Sequence, residues 1–217
     1  MLSTFQDSVA GLLLRQLEPY DFVLSGGYAL NELALTHRPT RDIDLFTNLL
    51  DPAEFSKAVD DAVAALENAG YQVRVTRKTS MFARIDIQDE TQSVEVDLGY
   101  DYREFEPAIR EIGPVLNDKD AILNKISALY ARWLPRDFID LFHIRKSGIL
   151  TDGEILKYSH ERDEGFVREY FIDALRKVQS QSYDSFSEYG ITRTDYDEIK
   201  SAALNWANEI ESEFIDS

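Results

Sequence analysis

The chain has 217 residues, 44% of them hydrophobic, with 23 Lys and Arg set against 40 Asp and Glu, a formal net charge of −17. This is a globular composition, which excludes collagen-like and wholly disordered chains, and the length allows a core without staples. With no cysteine and only three histidines, the sequence offers no disulfide partner, thiolate zinc site or cysteine nucleophile, so any metal is a hard cation on carboxylate oxygen.

Phe5, Val9, Leu12, Leu13 and Leu17 stand at helical spacing and predict a helix over 3–18, ended by Pro19. Phe22 to Ser25 reads as a short buried strand stopped by Gly26-Gly27, and Tyr28 to Leu35 as a helix opening at that turn. His37 to Arg41 is loop, and Asp42-Ile-Asp-Leu-Phe alternates with the period of a strand. Pro52 to Ala69 is an amphipathic helix closed by Gly70. Three strand-like runs follow, at 71–76, 82–87 and 93–99, the last two joined as a hairpin. From Asp118 the pattern is helical, over 118–132, 135–146, 151–159, 163–180 and 193–214. The plan is a small α/β part followed by helices, with a boundary near Ile112-Gly-Pro.

No apolar run approaches the roughly 18 residues needed to cross a bilayer, and Met1 to Asp7 lacks a basic leader region. A cytoplasmic protein with no membrane partner is expected. The acidity opposes bulk binding to polyanions. It is unevenly spread: residues 76–150 hold 11 basic and 13 acidic groups, against 5 and 11 before them and 7 and 16 after. The middle third is therefore the better candidate for a surface that meets nucleic acid.

The chemistry concentrates around two stretches, Ser25-Gly-Gly-Tyr-Ala-Leu and His37-Arg-Pro-Thr-Arg-Asp-Ile-Asp-Leu-Phe. A Gly-Gly turn lets a ligand approach the backbone closely because no Cβ intervenes, and the helix it opens offers free N–H groups to phosphate. Asp42 and Asp44, two apart on a strand, leave the same face and repel each other unless a cation sits between them. A phosphate seat beside paired carboxylates suits metal-assisted phosphoryl or nucleotidyl transfer. The strand Val94 to Gly99 offers further acids on one face, Glu95 and Asp97, the latter also a candidate general base. Lys125 and Arg132, seven apart, share a helix face, and Asp137 and Asp140 are neighbours on the next helix; an inter-helix salt-bridge set explains these four equally well. Arg38 and Arg41 flank the loop before the acidic strand, placed either for phosphate or for local acids, and Tyr28 is a candidate lining of a nucleotide pocket.

Gly26-Gly27, a helix, Asp42-x-Asp44 and a later Asp97 resemble the DNA polymerase β-like nucleotidyltransferase superfamily. More narrowly, Gly-Gly-x-Ala-Leu and His-Arg-x-Thr-x-Asp-Ile-Asp-Leu-Phe resemble the AbiEii-type nucleotidyltransferase toxin family. Lys125-Ile-Ser-Ala-Leu-Tyr-Ala-Arg132 and Arg136-Asp137-Phe-Ile-Asp140-Leu are similar to that family's helical motifs. The resemblance implies an α/β (α+β) chain: a mixed β-sheet catalytic core with flanking helices over 1–112, then a helical part over 113–217 that completes the site. It implies transfer of a nucleoside monophosphate from a nucleoside triphosphate with Mg²⁺ or Mn²⁺. Partners implied are tRNA or another RNA acceptor and a cognate antitoxin, in a toxin–antitoxin or phage-defence setting. By position, Gly26 and Gly27 hold the triphosphate, with Arg38, Arg41 and Arg132 at the nucleotide. Asp42, Asp44 and Asp97 bind metal, Lys125 neutralises charge, and Asp137 and Asp140 lie near the nucleotide or position Lys125. A small-molecule or protein acceptor, or a non-catalytic nucleotide-binding interaction protein, are the alternatives. The net charge of −17 sits awkwardly with a tRNA substrate.

Overall fold

The computed structural model describes residues 4–215; residue 3, the start of the first expected helix, lies outside them. The chain divides into two compact units, one of residues 1–33 and 39–120, the other of residues 34–38 and 121–217.

The first unit is built on a seven-stranded mixed sheet. In chain order its elements are α1 (Thr4–Gln16), β1 (Phe22–Ser25), α2 (Gly26–Glu32), β2 (Asp42–Thr47), α3 (Pro52–Asn68), β3 (Gln72–Lys78), β4 (Phe82–Gln88), β5 (Ser93–Tyr100), β6 (Ala108–Arg110) and β7 (Gly113–Val115). The strand order is β3-β4-β5-β2-β1-β7-β6. β2 runs parallel to β5 and β1 parallel to β7, while the other neighbours are antiparallel.

Alternation divides the sheet into two chemistries. Ile43 and Leu45 of β2, Ile85 of β4, and Val96 and Leu98 of β5 are fully buried. They join one core with Leu13 of α1, Leu17 just after it, and Phe55, Val59 and Leu66 of α3. Burying side chains of this size contributes about 1.5–3 kcal/mol each. The opposite face carries Asp42 and Asp44, Arg84 and Asp86, Glu95 and Asp97 at the half-buried positions of the same strands. The apolar residues thus fix the register, and with it the acids: a slip of one residue would turn every carboxylate into the core. The helix α3 that seals the core starts on Asp51, whose carboxylate accepts from Ala53 N and Glu54 N at 2.9 and 3.2 Å, and it stops at Gly70, with φ of +90°.

The second unit contains α5 (Pro135–Ser147), α6 (Asp152–Arg162), α7 (Arg168–Arg176), α8 (Tyr183–Ser187) and α9 (Arg193–Ile215), together with most of α4 (Asp118–Arg132). Phe138, Leu141 and Ile144 of α5, Phe171 and Leu175 of α7, and Trp206 and Ile210 of α9 are buried. Phe171 meets the Trp206 ring edge-on at 5.2 Å. Thr151 and Glu154 form a reciprocal cap at the start of α6.

Three local differences from the sequence reading stand out. The helix after Ser25 begins at Gly26 itself. The helical run expected over 163–180 is α7 plus a 3-10 turn at 177–180. Residues 113–115, placed with the helical part on sequence grounds, are the sheet strand β7, and the unit boundary falls at Asp120.

Candidate active site

In the first unit the acid pair is built by strand register. Asp44 on β2 lies opposite Ser25 on β1 and opposite Asp97 on β5, and Asp42 lies opposite Glu95. Ser25, Asp44 and Asp97 thus form one row across three strands, and Asp42 and Glu95 the next row on the same face.

Gly26 closes this arrangement. Its φ is +63°, and a Cβ placed there would lie 1.8 Å from Asp44 Oδ2. Both constraints demand glycine, and for one reason: the Asp44 carboxylate rests directly on the turn. Thr40, nearly buried, donates its hydroxyl to Asp42 Oδ1 at 3.0 Å and orients the second acid. The Ser25 hydroxyl is buried with no protein partner, an unmet polar group at the foot of the same turn. Neither Thr40 nor Ser25 was singled out from sequence. The Thr-x-Asp spacing and the polar residue closing an otherwise apolar strand were the available signals.

Asp97 departs from expectation. Both its oxygens are taken by Arg84, Nε to Oδ1 and Nη2 to Oδ2, each at 2.7 Å. Arg84 Nη1 also lies 3.3 Å from Glu95 Oε1. The hydrogen bond to Asp97 raises the guanidinium pKa, and burial raises that of Glu95 against the pull of Arg84. Among the described residues, no group of three or more His, Cys, Asp or Glu is arranged to hold a metal ion. Asp42, Asp44 and Asp97 share one sheet face by register, and both oxygens of Asp97 are held by Arg84. The pair Asp42 and Asp44 does suit a divalent cation. It supplies hard oxygen donors on one face, beside a turn whose missing Cβ leaves room for close approach, and Mg²⁺ needs only one or two carboxylates when substrate phosphates supply further ligands.

Arg41 is exposed and lines an open cleft of about 620 Å³ with Arg74, Asp86, Gln88 and Glu95. Tyr28 does not line a nucleotide pocket. It is fully buried, its hydroxyl hydrogen-bonds Asp7 of α1, and burial first, then that bond, raises its pKa.

In the second unit the structure gathers the remaining candidates into one buried ion cluster. Lys125 Nζ lies 2.9 Å from Asp137 Oδ1 and 2.8 Å from Asp140 Oδ2. Arg38 clamps Asp140 through two bonds of 2.8 Å, and Arg132 Nε reaches Asp137 Oδ2 at 3.1 Å. Both aspartates are fully buried. Burial, the largest single influence, pushes their pKa values up, but Lys125 together with Arg132 at Asp137 and with Arg38 at Asp140 outweighs it, and both lie below the ordinary carboxylate value. Arg38, expected at the nucleotide, is committed to Asp140. Of the three cations only Arg132 presents a large part of its side chain, 45%, to solvent.

The first unit is thus a mixed sheet with a glycine turn after β1 and a carboxylate pair on the adjacent β2. The chain belongs to the AbiEii family: the family model for the nucleotidyl transferase AbiEii toxin of type IV toxin–antitoxin systems matches residues 9–213. It is therefore a nucleotidyltransferase of a toxin family, a class that takes a nucleoside triphosphate with a divalent metal and is paired with an antitoxin. Among solved structures it is similar to JHP933 from Helicobacter pylori, at 17% identity and a TM-score of 0.58, covering 100% of this chain and 96% of that one. It is also similar to MenT4, a nucleotidyltransferase toxin from Mycobacterium tuberculosis H37Rv, at 14% identity and a TM-score of 0.59, covering 94% and 83%. At such identities these likenesses bear on the fold. A search among curated proteins finds no match. Among the described residues no helix is long and apolar enough to cross a membrane.

Proposed function

We propose that the chain transfers a nucleoside monophosphate from a nucleoside triphosphate to an RNA acceptor, with tRNA the first candidate, in a Mg²⁺-dependent reaction that makes it the toxin of a pair acting in the cytoplasm. The observation that carries this reading is the Asp44 carboxylate resting on Gly26, with Asp42 beside it on the same face of β2.

In this reading Gly26 and Gly27 bring main-chain N–H groups to the triphosphate. Asp42, held by Thr40, and Asp44, held over Gly26, keep their oxygens fixed before the nucleotide arrives, so little reorganisation is left for the reaction step. Mg²⁺ bound there supplies charge neutralisation at phosphorus and a lowered pKa for the attacking hydroxyl. Arg41 and Arg74, lining the cleft beside the Asp42–Glu95 row, offer guanidinium groups to acceptor phosphates, Arg74 exchanging its 2.5 Å ion pair with Asp86 for the phosphate. The buried Lys125 cluster fixes the α4–α5 corner and so the direction in which Arg132 points.

The test is incubation of the purified chain with each labelled nucleoside triphosphate, Mg²⁺ and total tRNA, with parallel reactions on protein and on aminoglycosides. Label on RNA that disappears with EDTA is expected. Label found on protein or on the small molecules would move the acceptor to that class, and no transfer to any acceptor would remove the enzymatic reading.

A further inference from the structure

Two carboxylates face each other across the β2–β5 pair, Asp44 and Asp97. Like charges directly opposite on neighbouring strands repel, so this face needs positive charge near Asp97. The chain supplies it from the next strand: Arg84 on β4 is the register partner of Asp97. Its guanidinium takes both Asp97 oxygens and reaches Glu95, the other acid that β5 turns to this face. The planar fork of arginine matches a carboxylate in this way, and no oxygen of Asp97 is left without a partner.

We propose that Arg84 is a built-in competitor for the metal at Asp97: its guanidinium and a divalent cation exclude each other there, and the third acid joins the site only when Arg84 swings away. This rests on Asp42 and Asp44 being the primary metal ligands.

Burial decides how easily the exchange occurs. The Arg84 side chain is 41% exposed and that of Asp97 only 14%. The carboxylate is the shielded partner and the arginine the one open to solvent. A half-exposed ion pair is worth little in water, so Arg84 sets a threshold for the metal and does not block it. In its position at Asp97, Arg84 also lies 6.0 Å from the Phe82 ring, which Arg77 covers at 5.3 Å.

The experiment measures Mn²⁺ alone binding to the full chain, by loss of the free-ion electron paramagnetic resonance signal and by calorimetry. The variants are Arg84→Gln, Arg84→Lys, Asp97→Asn, Arg84→Gln with Asp97→Asn, and Asp44→Asn, each checked by circular dichroism. Removing a charge this close to the ion is expected to tighten Mn²⁺ binding by about tenfold in Arg84→Gln. Arg84→Lys, which keeps the charge and loses the two-pronged bond, falls between. The gain vanishes when Asp97→Asn is added. If both Arg84 variants fold and bind Mn²⁺ no more tightly than the natural chain, or if the gain survives Asp97→Asn, the competition is overturned while the Asp42–Asp44 reading stands. Binding indifferent to Asp44→Asn, or no binding by any variant, overturns both.

Discussion

Asp44→Asn is expected to slow nucleotidyl transfer by about a thousandfold or more, equivalent to roughly 4 kcal/mol of transition-state stabilisation. The same variant should melt at or slightly above the temperature of the natural chain. Asparagine has nearly the shape of aspartate, so it still fits over Gly26, where the space beside Oδ2 admits no Cβ. The change removes one negative charge from a face where Asp42, Asp97 and Glu95 lie in adjoining register positions, and relieving that repulsion costs the fold nothing. Activity and stability therefore separate at this residue. Transfer rates under saturating nucleotide, set beside thermal melts of the same preparations, check the point. A variant that unfolds would show that Asp44 belongs to a structural network, and one that retains transfer would remove it from the site.

The second large effect lies in the other unit and has the opposite character. Lys125→Met is expected to destabilise the protein by about 3–5 kcal/mol, the range for stranding buried charges, which lowers the melting temperature by about 10 °C. Asp137 and Asp140 are fully buried and share the Lys125 ammonium. Each keeps one arginine after the substitution, and neither can reach water. The network also carries a pH signature. The folded-state pKa values of both aspartates lie below the ordinary carboxylate value. Their contribution is therefore fully present above an unfolded pKa of about 3.9 and is lost as pH falls through the lower folded values. The natural chain should lose stability steeply below about pH 4, and Lys125→Met less so, because less of its stability depends on those charges. Melts between pH 3 and pH 7 decide this. A Lys125→Met chain that melts normally and fails only in transfer would instead place the lysine at the reacting phosphate, as the family motif implies.

Much of the first unit was legible in the sequence, because strand alternation and glycine turns are local signals. Ile43 and Leu45 pointing one way and Asp42 and Asp44 the other is a statement about period two, and the burial along β2 follows it. Pro52 and Gly70 bracketed α3 through local signals that need no tertiary information. What stayed hidden were side-chain partners: a hairpin between β4 and β5 is legible, but not that the Arg84 guanidinium takes both oxygens of Asp97. Tyr28 was misread for the same reason: its partner, Asp7, comes from a different helix. The strands β6 and β7 were missed because each has three residues, and Gly113 and Pro114 argue against a strand in any local reading. β7 is a strand because β1 offers it an edge: Leu116 N donates to Leu24 O at 2.9 Å. In the second unit, pairing Lys125 and Arg132 with Asp137 and Asp140 was readable from helix spacing, whereas the capture of Arg38 from a loop 102 positions before Asp140 was not.

The central claim is that Asp42 and Asp44, seated at the Gly26–Gly27 turn, hold the metal of a metal–nucleotide complex. The most direct measurement is the anomalous difference map of a crystal of the full chain grown with Mn²⁺ and a non-hydrolysable nucleoside triphosphate. A manganese peak within coordination distance of oxygens from both Asp42 and Asp44, with the phosphates against Gly26 and Gly27, is the predicted result. Manganese and nucleotide bound away from both carboxylates would contradict it.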